Sequence, residues 1–198
     1  MGKKGYIDSD LLDRAICFAV KAHANTERKG KGFPYIVHPL EAVVIVSTIT
    51  SDQELLAAAA LHDTLEDTDT TYEQLEQEFG KRVADLVAHE SDVKLEGGRS
   101  ATWHLRKQLA IEHLAKAPLD AKIVAIGDKL SNMRIIAHDY GEIGDALWSR
   151  FNVTDPHEHA WHYYGLMQSL SELEDTAAFQ EFASLVKQVF ADKIYPNH

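Results

Sequence analysis

Apolar residues return every three or four positions along most of the chain, and runs alternating apolar with polar are nearly absent, so an all-α fold is expected. Leu11, Leu12, Ala15, Ile16, Ala19 and Val20 share one side of a first helix that Asp8 or Ser9 can cap and that should end near His23. From Ala24 to Val37 the chain is rich in Gly, Lys and Arg and contains Pro34, the composition of a loop. A second helix then starts about His38-Pro39 and sends Val43, Val44 and Val46 to the core.

Ser51 with Glu54 and Thr70 with Glu73 have the spacing of capping boxes, each opening a further helix, and Gly80 can terminate the second of these. A helix follows from Lys81 to about Ser91, and Asp92 to Ser100 reads as a loop. Helices are expected over Ala101 to Lys116, Leu119 to Ala137 and Glu142 to Phe151, then from Asp155-Pro156-His157-Glu158, and finally over Thr176 to Ile194. The total is about ten helices. With no internal repeat, low-complexity tract or linker, residues 1–198 are expected to form a single domain.

Composition narrows the function classes. A hydrophobic share of 45% supports a sizeable core, while no apolar stretch is long enough to cross a bilayer and no signal core follows the basic start. A cytoplasmic protein is therefore expected. Twenty basic against 31 acidic residues give a formal charge of -11, which disfavours nucleic-acid polymers but permits a small anion held by a few local cations and a metal. The single cysteine, Cys17, lies among apolar neighbours and reads as core filler. Of 11 histidines, His89, His104, His113, His138 and His157 are expected at the surface or its boundary.

The chemistry concentrates in Leu61-His-Asp-Thr-Leu-Glu-Asp-Thr-Asp69. At roughly 100° per helical residue, His62, Asp63, Glu66 and Asp67 span an arc of about 140° and can address one cavity. An acidic helix end facing water is the alternative, but two other segments weigh against it. Asp128 lies in the largely apolar run Lys122 to Ile136, where an ionised carboxylate without donors or a metal would cost several kcal/mol, ~3–5. Asn132 falls one turn later on the same side, and His38 stands at a loop-to-helix junction. Two imidazoles and two carboxylates, with no thiolate, suit one hydrolytic divalent ion that keeps positions for water and substrate; Mn²⁺ fits best and Fe²⁺ less well.

Three segments carry a resemblance to a known family: Arg28-Lys-Gly-Lys-Gly-Phe-Pro-Tyr-Ile-Val-His-Pro39, His62-Asp-Thr-Leu-Glu-Asp-Thr-Asp-Thr-Thr71 and Gly127-Asp-Lys-Leu-Ser-Asn-Met-Arg134. They closely resemble HD-domain alarmone hydrolases, in particular the small stand-alone relatives of the RelA/SpoT hydrolase domain, which include the metazoan SpoT homologue. The likeness runs in the same order from about Leu11 to Leu173. It implies an HD-domain helical array around one metal, usually Mn²⁺, held by His38, His62, Asp63 and Asp128. The implied reaction removes pyrophosphate from the 3′ position of (p)ppGpp, leaving GDP or GTP, with Glu66 and Asp67 orienting or deprotonating the attacking water.

By the same resemblance Arg28 and Lys29 approach the nucleotide, Lys31 extends that basic rim, Asn132 faces the substrate, and Tyr163 and Tyr164 border its pocket; core packing is the alternative for the two tyrosines. Lys129 and Arg134 are further phosphate candidates; a helix-surface ion pair is the alternative for each. The stretch Glu90-Ser-Asp-Val-Lys94 departs from the family's Thr-Asp-Asp-Lys, with Val93 in place of an acidic residue. An alarmone synthetase domain, and with it a bifunctional enzyme, is not expected. An NADPH 2′-phosphatase or another nucleotide phosphohydrolase is the alternative within the same chemistry, and a noncatalytic nucleotide-binding module is the alternative outside it. Helical surfaces allow a homo-oligomer, but the sequence marks no interface.

Overall fold

The computed structural model describes residues 9–28, 30–91, 96 and 101–193. Helices account for the architecture: α1 Asp10–Ala22, α2 Val37–Ser47, α3 Gln53–Leu61, α4 Thr64–Asp67, α5 Tyr72–Phe79, α6 Lys81–Glu90, α7 Trp103–Lys116, α8 Leu119–Ile143, α9 Pro156–Ser169 and α10 Ala177–Phe190. Two 3-10 turns, Gly144–Arg150 and Ser171–Leu173, link the last three. Extended pairing among the described residues is confined to one isolated bridge between Glu27 and Pro34. The all-α expectation holds.

The long α8 is the axis of the fold, packed against α2, α3, α6 and α10. Its contact with α2 is close because residue 127 is glycine. A Cβ there would lie 2.9 Å from both the Ala42 carbonyl oxygen and Val46 Cγ2. Helix α1 packs against α3, whose Ala57, Ala58, Ala59 and Ala60, all fully buried or nearly so, let its neighbours approach. The α7 and α9 pair is drawn together in the same way at Gly165, where a Cβ would meet Ile111 Cδ1 at 2.5 Å.

Several local expectations shift. Ser9 occupies the N-cap position of α1, but its hydroxyl donates to Asp13 instead of capping; Asp8 lies outside the described residues. The α3 cap is Asp52, whose carboxylate accepts from the Glu54 N–H, and not Ser51. The capping box of α5 is formed by Thr71 and Gln74, one residue beyond Thr70 and Glu73. Asp155 and Thr176 cap α9 and α10, and Ile194 lies outside the described residues.

Cys17 is exposed, not core filler: it sits two residues from Ala15 and from Ala19, which places it on the opposite side of α1 from those buried alanines. Val20 and Val44 are likewise exposed, whereas Val43 and Val46 are buried. The largest difference is α8, which continues past Ala137 to Ile143. Tertiary contacts hold the extra turns, since Asp139 pairs with Lys31 and Arg150 and the Tyr140 hydroxyl accepts from Lys193. Gly144, at φ 57°, ends the helix. The segment expected to form a helix from Glu142 is a 3-10 turn beyond it.

Candidate active site

Four elements deliver the site. His38 projects from the first turn of α2, His62 and Asp63 from the junction of α3 and α4, and Asp128 from the middle of α8. The junction is a true break: Asp63 has φ -92° and ψ -3°, and the Thr64 hydroxyl donates to the Leu61 carbonyl. One continuous helix therefore does not carry residues 62 to 67. The break points both His62 and Asp63 toward Asp128.

The four residues converge closely. His38 Nε2 and His62 Nε2 are 3.2 Å apart, and Asp128 Oδ1 lies 3.1 Å from the first and 3.7 Å from the second. Asp63 Oδ2 is 2.9 Å from His62 Nε2 and 3.4 Å from His38 Nε2. One donor atom from each of His38, His62 and Asp128 fits within 4.8 Å of the others.

The outward hydrogen bonds fix which nitrogen of each imidazole faces this centre. His62 Nδ1 donates to the Ala59 carbonyl at 2.9 Å, so its Nε2 presents a lone pair. His38 Nδ1 lies 2.8 Å from Ser131 Oγ, and that hydroxyl spends its one proton on Glu41 Oε2 at 2.6 Å. Ser131 must then accept from His38 Nδ1–H, leaving a bare Nε2 here as well. Two bare nitrogens and two carboxylates facing one another repel unless a cation stands among them. This donor set fits a divalent metal, with the outer hydrogen bonds that metal-binding imidazoles ordinarily require.

The ionisation of the cluster says the same. Burial pushes His62 down, but Asp63 and Asp128 outweigh it and hold the imidazole well above its ordinary pKa. Burial pushes Asp63 and Asp128 up; the His62 charge with both imidazole contacts on Asp63, and Lys129 with the same imidazoles on Asp128, keep both well below the usual carboxylate range. The centre attracts positive charge, whether a proton or a metal.

The loop between α1 and α2 packs over this centre. Arg28 N–H donates to the Phe33 carbonyl and Tyr35 N–H to the Thr26 carbonyl, with Gly30 and Gly32 at φ 70° and 72° allowing the reversal. The Tyr35 hydroxyl reaches Asp63 at 2.7 Å and Asp67 at 3.1 Å. Arg28 lies 5.4 Å over the Tyr35 ring and donates to Asn132 Oδ1, while Asn132 Nδ2 donates to Asp128 Oδ1. A chain of contacts thus ties the basic loop to the candidate metal ligands.

Two cavities flank the centre and share Asn132, Ile136, Phe151 and Tyr163. The larger, about 760 Å³, is lined by Arg28, Lys31, Tyr35, Asp67 and Arg150 among others. The smaller, about 290 Å³, runs between α6, α7, α8 and α9 and reaches Asp128.

Other predicted residues are placed differently. Glu66 is half-buried. Lys31 pairs with Asp139 at 2.5 Å, and Lys129 bridges Asp128 at 2.6 Å and Glu90 at 3.2 Å. Arg134 is directed away from both cavities: it forks onto Glu181 at 2.7 Å and holds Glu41 at 2.9 Å, one step behind Ser131 and His38. Tyr163 borders both cavities and stacks on Phe190, whereas Tyr164 lines a separate groove with Trp161 and His104. Lys29, Val93 and most of the loop from Asp92 to Ser100 lie outside the described residues.

Sequence reasoning missed Ser131, Glu41, Glu90 and His23. The Glu90 side chain is buried, and that burial raises its pKa against the pull of Lys129. His23 is 3% exposed, lies tilted against the Tyr35 ring with centroids 4.8 Å apart, and has no hydrogen-bond partner on either ring nitrogen among the described residues. Burial lowers its pKa although Asp63 and Asp67 oppose the change. A histidine closing an amphipathic helix was the one signal available for it.

Comparison with known proteins agrees with this architecture. The family profile described as HD domain matches residues 15–149. The human guanosine-3′,5′-bis(diphosphate) 3′-pyrophosphohydrolase MESH1 is 35% identical over 171 residues, covering 84% of this chain and 90% of that protein. The Aquifex aeolicus guanosine-3′,5′-bis(diphosphate) 3′-pyrophosphohydrolase is 50% identical over 79 residues, 40% of this chain but only 11% of that longer protein. The solved structure of a metazoan ortholog of SpoT that hydrolyzes ppGpp and plays a role in starvation responses superposes with a TM-score of 0.70 at 26% identity. It covers 96% of this chain and 98% of that one. No helix among the described residues is long and apolar enough to cross a membrane. With its helical array, its His-Asp break between α3 and α4 and these matches, the chain belongs to the HD-domain family, in the group that contains MESH1.

Proposed function

We infer that this chain is a pyrophosphohydrolase of guanosine 3′,5′-bis(diphosphate), releasing pyrophosphate from the 3′ position and leaving GDP, or GTP from the pentaphosphate. The observation that carries the reading is the pair of bare Nε2 atoms of His38 and His62, 3.2 Å apart and faced by Asp63 and Asp128, at the junction of two cavities. The activities named for the human and Aquifex relatives support the substrate.

His38, His62, Asp63 and Asp128 would hold the ion, and Mn²⁺ suits two imidazoles and two carboxylates without thiolate. When bound, such an ion lowers the pKa of water and draws electron density from a phosphoryl oxygen. The side chains supply the rest. Water adds to the phosphorus carried on the ribose 3′ oxygen, the bond from that phosphorus to the 3′ oxygen breaks, and the 3′ oxygen takes up a proton. Pyrophosphate leaves with the oxygen that came from water. Asp67 and Glu66 serve as acceptors for the proton that water gives up, and Tyr35, bridging Asp63 and Asp67, keeps the Asp67 carboxylate turned toward the metal ligands.

Arg28, held over the Tyr35 ring, offers a purine a cationic plane, and Lys31 and Arg150 line the same larger cavity. Asn132 joins Arg28 to Asp128, so nucleoside binding and ligand orientation share one amide. The test is incubation of manganese-loaded protein with guanosine tetraphosphate, with ion-exchange separation of the products. GDP and pyrophosphate in equal amounts are expected. Folded, metal-loaded protein that releases neither, or that frees only single phosphates, overturns the reading.

A further inference from the structure

The smaller cavity holds groups to which the reaction above assigns no task. His162 is 9% exposed on α9, and its Nδ1 is buried with no hydrogen-bond partner among the described residues. His89, half-buried at the end of α6, has an equally orphaned Nδ1 and stacks on His113 with ring centroids 5.0 Å apart. Lys107 of α7 lines the same space, together with Asp128 and Lys129 of α8. A buried nitrogen left unpaired is costly, so two imidazoles of this kind lining one chamber beside the reacting centre point to a polar ligand.

The chemistry of the chamber selects the ligand. Burial, with Lys107 and Lys129 nearby, holds His162 well below its ordinary pKa, so it is a neutral ring. A neutral imidazole N–H can donate without a charge having been desolvated, and a lysine adds a charged donor. The complement is a group rich in acceptors and lacking donors, which describes a phosphate. Asp128 and Glu90 also face the chamber, but Lys129 lies between them and pairs with both.

We propose that the chamber lined by His89, Lys107, His113 and His162 is a diphosphate subsite: it takes the outer phosphate of the 3′-diphosphate during reaction and retains pyrophosphate afterwards. This rests on the pyrophosphohydrolase reading and extends it. The phosphorus under attack sits at the metal ligands; the nucleoside lies in the larger cavity with Arg28 and Tyr35, and the outer phosphate enters the smaller one past Asp128. Asn132 and Tyr163, which border both cavities, mark the point where the two halves of the substrate part.

Direct binding tests the subsite without requiring turnover. Pyrophosphate and, separately, GDP are titrated by calorimetry into protein held in a fixed excess of Mn²⁺. His162→Phe keeps the ring that packs edge-on against Trp103 and Tyr163 while removing its nitrogens. His89→Phe keeps the stack on His113 and is the second variant, so that a folding failure at position 162 leaves the subsite tested. Each substitution is expected to weaken pyrophosphate binding about tenfold or more and to leave GDP within about twofold. Weakened GDP with unchanged pyrophosphate assigns the chamber to the nucleoside and overturns the proposal. Both affinities unchanged reduce the histidines to packing and overturn it too. Wild-type protein that binds pyrophosphate in the chamber but turns over no guanosine tetraphosphate would instead sink the substrate reading and leave the subsite standing.

Discussion

Replacing Ser131 by alanine removes a hydroxyl that touches no substrate and should nevertheless weaken metal binding. Ser131 is fully buried on α8, accepts from His38 Nδ1 at 2.8 Å and donates to Glu41 at 2.6 Å. Without the hydroxyl, the Nδ1–H is buried with no acceptor, at a cost of about 1–3 kcal/mol. The imidazole can escape that cost by turning or by moving its proton to Nε2, and either change removes the lone pair the metal needs. Loss of an outer partner of this kind typically lowers metal affinity ~10–100-fold, or about 1.4–2.8 kcal/mol. Competition against a fluorescent chelator measures the manganese dissociation constant, and thermal melting of the metal-free protein checks that the fold survives. Arg134→Met, one step further back along Glu41, should produce a smaller loss of the same kind. Metal affinity within twofold of wild type in Ser131→Ala would refute the tautomer assignment. An Arg134→Met variant with a raised KM and unaltered metal affinity would return Arg134 to a phosphate-contact role.

Metal affinity should also climb with pH. His62 has a folded pKa well above its ordinary value, so in metal-free protein it contributes stability fully below about pH 6.5 and loses it as pH rises through the folded pKa. A metal must displace that proton, so its apparent affinity should rise about tenfold per pH unit until the folded pKa is passed. A flat profile between pH 6 and 8, or one that falls, would contradict the assignment. Glu66→Gln and Asp67→Asn should each keep the metal, by elemental analysis, and lower kcat by about 10²–10⁴; full activity in both would remove them from proton transfer. Gly127→Ala should lower the denaturation midpoint, because a Cβ 2.9 Å from the Ala42 carbonyl forces α2 and α8 apart at about 1–3 kcal/mol, more than the gain of about 1 kcal/mol in helix propensity. An unchanged or higher midpoint would show that the interface yields.

What the sequence made legible was local or strongly constrained. Helix order followed from periodicity and capping residues, and the four metal-ligand candidates followed from residue type, because a carboxylate in an apolar helix such as Asp128 demands a partner. The break at Asp63 was hidden, since a helical wheel over residues 62 to 67 assumes continuity; the break redirects His62 and Asp63 together, so the expected convergence survived for a different reason. Long-range partners were invisible. Nothing near Ser131 in the chain announces that His38 rests on it, and Arg134 resembles a phosphate ligand until Glu41 and Glu181 are seen to hold it. The length of α8 was underestimated for the same reason: Asp139 inside a helix is unfavourable alone and stabilising once Lys31 and Arg150 meet it. The split between Tyr163 and Tyr164, adjacent in sequence but lining different surfaces, reflects the 100° turn from one helical residue to the next.

The most direct test of the central claim follows the oxygen of water. Manganese-loaded protein is given guanosine tetraphosphate in ¹⁸O-labelled water, and the products are weighed by mass spectrometry. Attack on the phosphorus at the 3′ position predicts one labelled oxygen in pyrophosphate and none in GDP. Label in the nucleoside product, or no pyrophosphate from protein that is folded and carries its metal, would contradict the reaction assigned to this site.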